Sequence, residues 1–145
     1  IAEKRFYTIL SSSTDYCELA YDAELQALVL TYRRSCTKEE YRSTYHKLLE
    51  TLKKVPVGRI LVNMQHLGTV TPEDQRWLGQ TMLPMLANAT PDKHLFVAVF
   101  VPDNIFAQLA AEHIEELAEA SGSCTNRHFA TLAAAKMWLR EQTLP

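Results

Sequence analysis

The chain has 145 residues, 47% of them hydrophobic and 22% charged, which is enough for one globular domain whose core needs no metal or disulfide. Its 15 basic and 17 acidic side chains give a formal net charge of −2, so it lacks the basic excess that attracts nucleic acids and anionic membranes. We therefore expect a single domain over residues 1–145, with residues 1–15 as a loosely attached N-terminal segment.

The cysteines and the apolar runs predict the compartment. Cys17, Cys36 and Cys124 are an odd number and include no C-x-x-C pair, a pattern more typical of reduced thiols than of a disulfide framework. No apolar run approaches the ~20 residues that span a bilayer, and no secretory leader is recognisable. We expect a cytoplasmic protein that does not insert into membranes.

The first predicted elements are a β-hairpin and a helix. "YCELAYDAELQALVLTYRR" predicts two strands around a turn at residues 22–24. Thr37 and Glu40 have the spacing of a capping box, which opens a helix that ends before Pro56. The apolar stripe of this helix consists of Tyr41, Tyr45, Leu48, Leu52 and Val55. Its other side, which includes Arg42, is expected to face away from the core.

A strand and a second helix follow. "RILVNM" predicts the strand, and "TPED" opens the helix with Thr71 as its cap and Pro72 in its first turn. Pro84 has no N–H and its ring obstructs the preceding turn, so we expect a kink or break near Leu83. "HLFVAVFV" is too short and too rich in β-formers for a helix, and predicts a central strand.

The last elements are a helix, a short strand and a final helix. Asp103 or Asn104 caps the third helix, and Gly122 ends it. The side expected to face the core carries Phe106, Leu109, Ala110, His113, Ile114 and Leu117. "RHFA" predicts the strand, and Thr131 caps the fourth helix. This order predicts an α/β fold with a mixed, mostly parallel sheet, an N-terminal antiparallel hairpin and four helices.

Several segments carry a resemblance to a known family. They are "YDAELQALVLTYR", the strand that ends in "NMQHL", the helix start "TPEDQRWL", the strand "HLFVAVFVP" and the close "HFATLAAAKMWL". From about residue 16 to 139 the chain resembles the SpoIIAA-like fold of STAS domains and of the bacterial STAS/SEC14-like group. The resemblance implies a bacterial regulatory module that binds a protein partner without catalysis.

The resemblance also implies a test for a phosphorylation switch. In the phosphorylated members, an acidic residue after the third strand precedes a D-S-S/T-G turn whose hydroxyl accepts phosphate. Asn63 stands at the position of that acid, and "VTPED" replaces the turn. Thr71 is the one hydroxyl at this position, and its role as a helix cap explains it without phosphorylation.

Polar residues follow the strands of the predicted sheet. Ligands of open α/β sheets bind beyond the carboxyl ends of parallel strands, where helices begin. An anionic ligand or a partner's carboxylates would suit this set. The candidate ligand-binding residues are Arg33, Arg34, Cys36, Asn63, Gln65, His66, Asp103 and Asn104.

The sequence offers little for a catalytic, metal or phosphate-binding site. A nucleophile pair of Cys36 and His66 is the sharpest enzymatic hypothesis, but no orienting third residue or oxyanion turn accompanies it. The five histidines have no metal-ligand spacing, and four glycines supply no phosphate-binding loop. We predict no enzyme activity, no metal and no cofactor.

Two functions follow from the sequence. The first is a non-catalytic protein-interaction or regulatory module with an unidentified protein partner. A second copy of the same chain, in a homodimer, is an alternative partner. The second, which the SEC14-like side of the resemblance implies, is a carrier or sensor of a small apolar or amphipathic ligand, with Trp77, Met82, Met85 and Phe106 lining the pocket. Ordinary core packing is the alternative explanation of the same residues. The carrier requires a cavity of at least ~300 Å³ between the sheet and the helix of Trp77, whereas the module requires an exposed patch on a helix.

Overall fold

The computed structural model describes residues 12–142 of the chain. Residues 1–11 and 143–145, which include the apolar run "RFYTIL" and most of the segment expected to be loosely attached, lie outside the described residues. The described end of that segment is attached to the sheet, since Ser12 and Ser13 pair with the neighbouring strand.

Six strands form one mixed sheet in the order of the chain. The first strand pairs antiparallel with the second and the second with the third, and the remaining neighbours are parallel. The predicted hairpin is confirmed, and the last strand begins at Cys124 rather than at Arg127. The strands are β1 (Ser12–Ser13), β2 (Cys17–Asp22), β3 (Ala27–Tyr32), β4 (Arg59–Asn63), β5 (Leu95–Phe100) and β6 (Cys124–Phe129).

The helices lie where the sequence predicts them, but the second is divided. Three consecutive pieces, hereafter the segmented helix, take its place: α2, a π-helical turn and α3. Among residues 12–142, no helix has both the length and the apolar character of a membrane span. The helical elements are α1 (Lys38–Leu52), α2 (Pro72–Arg76), the π turn (Trp77–Met82), α3 (Leu83–Asn88), α4 (Ile105–Ser121) and α5 (Leu132–Glu141).

The predicted helix ends are confirmed by their hydrogen bonds. Thr37 Oγ1 accepts from the Glu40 N–H at 3.2 Å and the Thr37 N–H donates to Glu40 Oε1 at 2.9 Å, which completes the capping box. Asn104, rather than Asp103, caps α4, and Gly122 ends it with a φ of 75°. Both kinds of end satisfy backbone groups that a helix leaves without partners.

Helices cover both faces of the sheet unequally. Right-handed crossovers between consecutive parallel strands place their helices on one face, so α1, the segmented helix and α4 share the larger core. Only α5, of the described helices, lies on the other face, where it contacts β4 and β5. The smaller core there consists of Leu25, Ala27, Leu61, Ala98, Ala135 and Leu139.

The segmented helix departs from α-helical geometry before Leu83 rather than at it. The Leu83 N–H donates to the carbonyl of Leu78, five residues back. The wider turn accommodates Pro84, which cannot donate a backbone hydrogen bond and would crowd the carbonyl of the preceding turn. The predicted break near Leu83 is therefore a change from π-helical to α-helical geometry.

Gly79 lets the π turn approach α4 closely. A Cβ placed on Gly79 would lie 2.5 Å from the Cβ of Leu117, closer than any relaxed carbon–carbon contact. Nearby, Gln75 Oε1 lies 2.8 Å from His113 Nδ1, a hydrogen bond that joins α2 to α4.

The predicted core side of α4 is wrong in part. Phe106 is 67% exposed and Leu109 is 53% exposed. The helix instead buries a stripe made mostly of alanines, because small side chains let it lie close to the sheet and the π turn. The buried stripe consists of Ala107, Ala110, Ala111, Ile114 and Ala118.

We expect Gly79→Ala to lower the free energy of unfolding by about 1–3 kcal/mol, because the new methyl group meets the rigid base of Leu117. Without that contact, the better helix propensity of alanine would raise stability by ~1 kcal/mol. Urea unfolding followed by circular dichroism measures the sign. Gln80→Ala, at the exposed neighbouring position, is the matched control. An unchanged or higher stability for Gly79→Ala would contradict the prediction.

Candidate functional site

The two arginines that follow β3 are paired with carboxylates of their own chain. Arg33 Nη2 lies 2.7 Å from Glu18, and Arg34 Nη2 lies 3.0 Å from both Asp15 and Glu40. These exposed pairs add little to stability, but they occupy both guanidinium groups. An anionic ligand would therefore compete with carboxylates already in place.

Arg34 supports the start of α1. Its guanidinium, followed by the Thr37 N–H, holds the pKa of the Glu40 carboxyl down at about 2. The same carboxylate completes the capping box described above. Arg34 also lies over the ring of Tyr16, with its Cζ 5.3 Å from the ring centroid. Its contacts are those of a residue that orders a helix start.

Cys36 is half-buried in a cleft of about 190 Å³ between the starts of α1 and α2. Burial, and then the nearby Glu40, raises the pKa of its thiol above the ordinary value. Its sulfur lies 3.8 Å from the carbonyl of Arg34, whereas His66 is exposed, and no hydrogen bond within residues 12–142 joins the two side chains. No hydrogen bond within the described residues therefore supports the hypothesised nucleophile pair.

The candidates that follow β4 form a turn. Asn63 Oδ1 accepts from the Gln65 N–H at 3.0 Å, while the side chains of Gln65 and His66 are exposed. This is a local bond of the kind that asparagine makes in turns. The loops after β3 and β4 do approach each other, but at Gly68, where a Cβ would lie 2.9 Å from Ser35 Oγ.

The candidates that follow β5 belong to the start of α4. Asn104 Oδ1 accepts from the N–H groups of Phe106 and Ala107, at 2.9 and 3.1 Å, and Asp103 is exposed. Within the described chain, no hydrogen bond joins candidates from two different loops. Of the eight residues that the sequence placed at this edge of the sheet, the two arginines are paired with carboxylates and the two asparagines form a turn and a helix cap. The side chains of Gln65, His66 and Asp103 are exposed.

Thr71 has the role of a cap. Its Oγ1 accepts from the Asp74 N–H at 3.2 Å, the bond that starts α2. The adjacent Asp74 is 5% exposed, and its Oδ1 accepts from Arg42 Nε at 3.0 Å. Arg42 in turn lies over Trp77, with its Cζ 4.9 Å from the ring centroid. This arrangement ties α1 to the segmented helix.

Sequence reasoning missed the contact between Arg42 and Asp74. It placed Arg42 on the solvent side of α1, whereas the structure leaves it only half-exposed. The two residues are 32 positions apart, and no local pattern links them. Trp77 completes the group, with its ring centroid 6.4 Å from that of Tyr41 and 6.1 Å from that of Tyr45.

The proposed apolar pocket residues do not surround one cavity. Met82 is fully buried, Trp77 is half-buried, and Met85 and Phe106 are 44% and 67% exposed. The cavity between the sheet and the segmented helix has a volume of about 20 Å³ and is lined by none of the four. That volume suits about one water molecule.

A face of α4 is exposed and has no packing partner among the described elements. It is defined by Ile105, Phe106, Leu109, Glu112 and Glu116, hereafter the α4 face. Its apolar members are 61%, 67% and 53% exposed. The signal that could have predicted this face is the alanine stripe on the opposite side of the helix, since a close-packed helix side favours small residues.

Metal ligands are not grouped in the described chain. This part of the chain contains no group of three or more histidine, cysteine, aspartate or glutamate side chains placed to hold a metal. Comparisons with protein-family models, curated proteins and solved structures gave no match to this chain.

We expect Arg42→Met to lower the free energy of unfolding by about 2–4 kcal/mol, because Asp74 is left buried without its cationic partner. Lys38→Met, which breaks the exposed pair of Lys38 with Glu73 on the same two helices, should cost less than ~1 kcal/mol. Urea unfolding of both variants makes the comparison. Equal losses would show that Arg42 contributes no more than a surface pair.

We expect Cys36 to react slowly with iodoacetamide at pH 7, because a raised thiol pKa leaves little thiolate at that pH. The rate should keep rising with pH up to pH 10 without levelling off, with Cys17 and Cys124 slower still, since burial raises both of their pKa values to about 12. Mass spectrometry of alkylated peptides over pH 6–10 measures each site. Fast labelling of Cys36 at pH 7 would restore the nucleophile hypothesis.

Proposed function

We propose that this chain is a non-catalytic protein-interaction or regulatory module whose partner binds the α4 face. One observation carries the proposal: Ile105, Phe106 and Leu109 are large, apolar and more than half exposed on adjacent turns of one helix. Contiguous exposed apolar patches on monomers are often functional. Such a patch favours a complementary partner surface.

We also propose that the module has a STAS-like fold. The α/β class, the antiparallel hairpin and the run of parallel strands in chain order support it. No phosphorylation switch is included, because the Thr71 hydroxyl accepts the capping bond from Asp74. The pairing of Arg33 and Arg34 with carboxylates also favours a module that acts without an anionic ligand at that edge.

The carrier hypothesis has less support. A drug-sized ligand needs a pocket of ~300 Å³ or more, and the cavity under the segmented helix measures about 20 Å³. The apolar residues proposed to line a pocket divide between core and surface, with Phe106 on the α4 face. An exposed apolar side chain is better explained by a partner surface than by an enclosed ligand.

We expect a photo-cross-linking amino acid at position 106 to form a covalent adduct in the source cells. The same amino acid at position 137 is the matched control, because Met137 is 61% exposed on α5, away from the α4 face. Gel electrophoresis and mass spectrometry identify the adducts. Ile105→Asp with Leu109→Asp should remove the adduct at 106, because two charges interrupt the apolar surface. The proposal fails if positions 106 and 137 give the same products, or none.

A further inference from the structure

The apolar half of the α4 face lies in its first turns. Ile105, Phe106 and Leu109 project away from the buried alanine stripe, and Asn104 fixes the start of the helix through two hydrogen bonds. The backbone of this half is therefore ordered before any partner arrives. Ordered apolar side chains lose little conformational entropy on binding.

The second half of the α4 face is acidic. Ile105, Leu109, Glu112 and Glu116 follow one another at spacings of four, three and four, which places them on one stripe. Neither glutamate forms an ion pair within residues 12–142, whereas Glu115, on another side of the helix, bonds to His128 Nδ1 at 2.5 Å. The helix contains no lysine or arginine. Its exposed stripe thus combines apolar and unpaired acidic side chains.

Charge decides between the possible occupants of this stripe. Nucleic acids and anionic membranes are excluded by acidic side chains at the edge of the patch. A second copy bound face to face would bring no cation to Glu112 or Glu116. A twofold interface sets them against their own equivalents or against the apolar half of the other stripe, and the helix contains no lysine or arginine. A partner with basic side chains beside apolar ones has neither problem.

We infer that the α4 face binds an amphipathic helical segment of a partner protein, with apolar side chains against Ile105, Phe106 and Leu109 and lysine or arginine against Glu112 and Glu116. The inference rests on the proposed function and adds the partner's chemistry. A helix suits the stripe because its own ridges repeat at the same spacing, so that two helices interdigitate along their length. Charge pairing at the acidic end fixes the partner's direction and excludes acidic helices.

The test uses two synthetic peptides of about 14 residues, long enough for the length of the stripe. One has leucines at amphipathic helical spacing and lysines elsewhere, and the other has glutamates in place of the lysines. Fluorescence anisotropy with the whole chain measures their binding at two salt concentrations. We expect the lysine peptide to bind and to weaken as salt rises, and the glutamate peptide to bind at least ~10-fold more weakly.

Three variants locate the binding site. Phe106→Ser with Leu109→Ser should weaken the lysine peptide at least ~10-fold, because it removes the apolar contact. Glu112→Gln with Glu116→Gln should weaken it about 3–10-fold and reduce its salt dependence. Met137→Ser should leave binding within ~2-fold, and thermal unfolding confirms that all three variants fold.

The outcomes separate the partner's chemistry from the proposed function. Equal binding of both peptides, no binding of the lysine peptide, or no effect of the glutamine substitutions would overturn the inference. Sedimentation that shows a dimer, dissociated by Phe106→Ser with Leu109→Ser, would assign the face to a second copy instead. In each of these cases an adduct at position 106 still supports an interaction module, and its absence removes the proposed function itself.

Discussion

The sequential order of the parallel strands is the constraint on which the rest of this structure depends. Because β3, β4, β5 and β6 are neighbours in chain order, each crossover helix lies on the same face of the sheet. Three helical elements, namely α1, the segmented helix and α4, must therefore fit side by side in one layer over four strands. The opposite face receives α5, whose end is held where Arg59 donates to the carbonyls of Leu25 and Gln142, at 2.9 and 2.5 Å.

Crowding on that face explains the specialised contacts of the segmented helix, which lies between α1 and α4. Toward α4 it presents Gly79, whose missing side chain makes room for Leu117. Toward α1 it presents Asp74, whose buried carboxylate needs the Arg42 guanidinium. Gly79 and Asp74 thus hold neighbouring helices close together, and their role is in the packing of the fold. What remains free is the outward side of α4, where the last crossover has no further described neighbour on that face.

The local features of the fold could be predicted, and the candidate site could not, for one physical reason. A capping box between Thr37 and Glu40 depends on residues within a single turn, so sequence spacing reveals it. The guanidinium of Arg34 was correctly placed at the carboxyl edge of the sheet, but its partner Asp15 is 19 positions away. No spacing rule predicts such a pair. A guanidinium that is already paired with a carboxylate binds an anionic ligand less readily than an unpaired one.

The sequence by itself determined where the helices begin, because helix caps and proline act through neighbouring residues. It located the strands less well, since the last one begins at Cys124 rather than at Arg127. The helix α4 shows what it left undecided. Its residues allow two apolar stripes, one that contains Phe106 and Leu109 and one that contains Ala107 and Ala110, and hydrophobicity alone favours the larger side chains. Only the tertiary structure decided for the alanines, because the space between the sheet and the π turn admits small side chains and leaves the large ones in solvent.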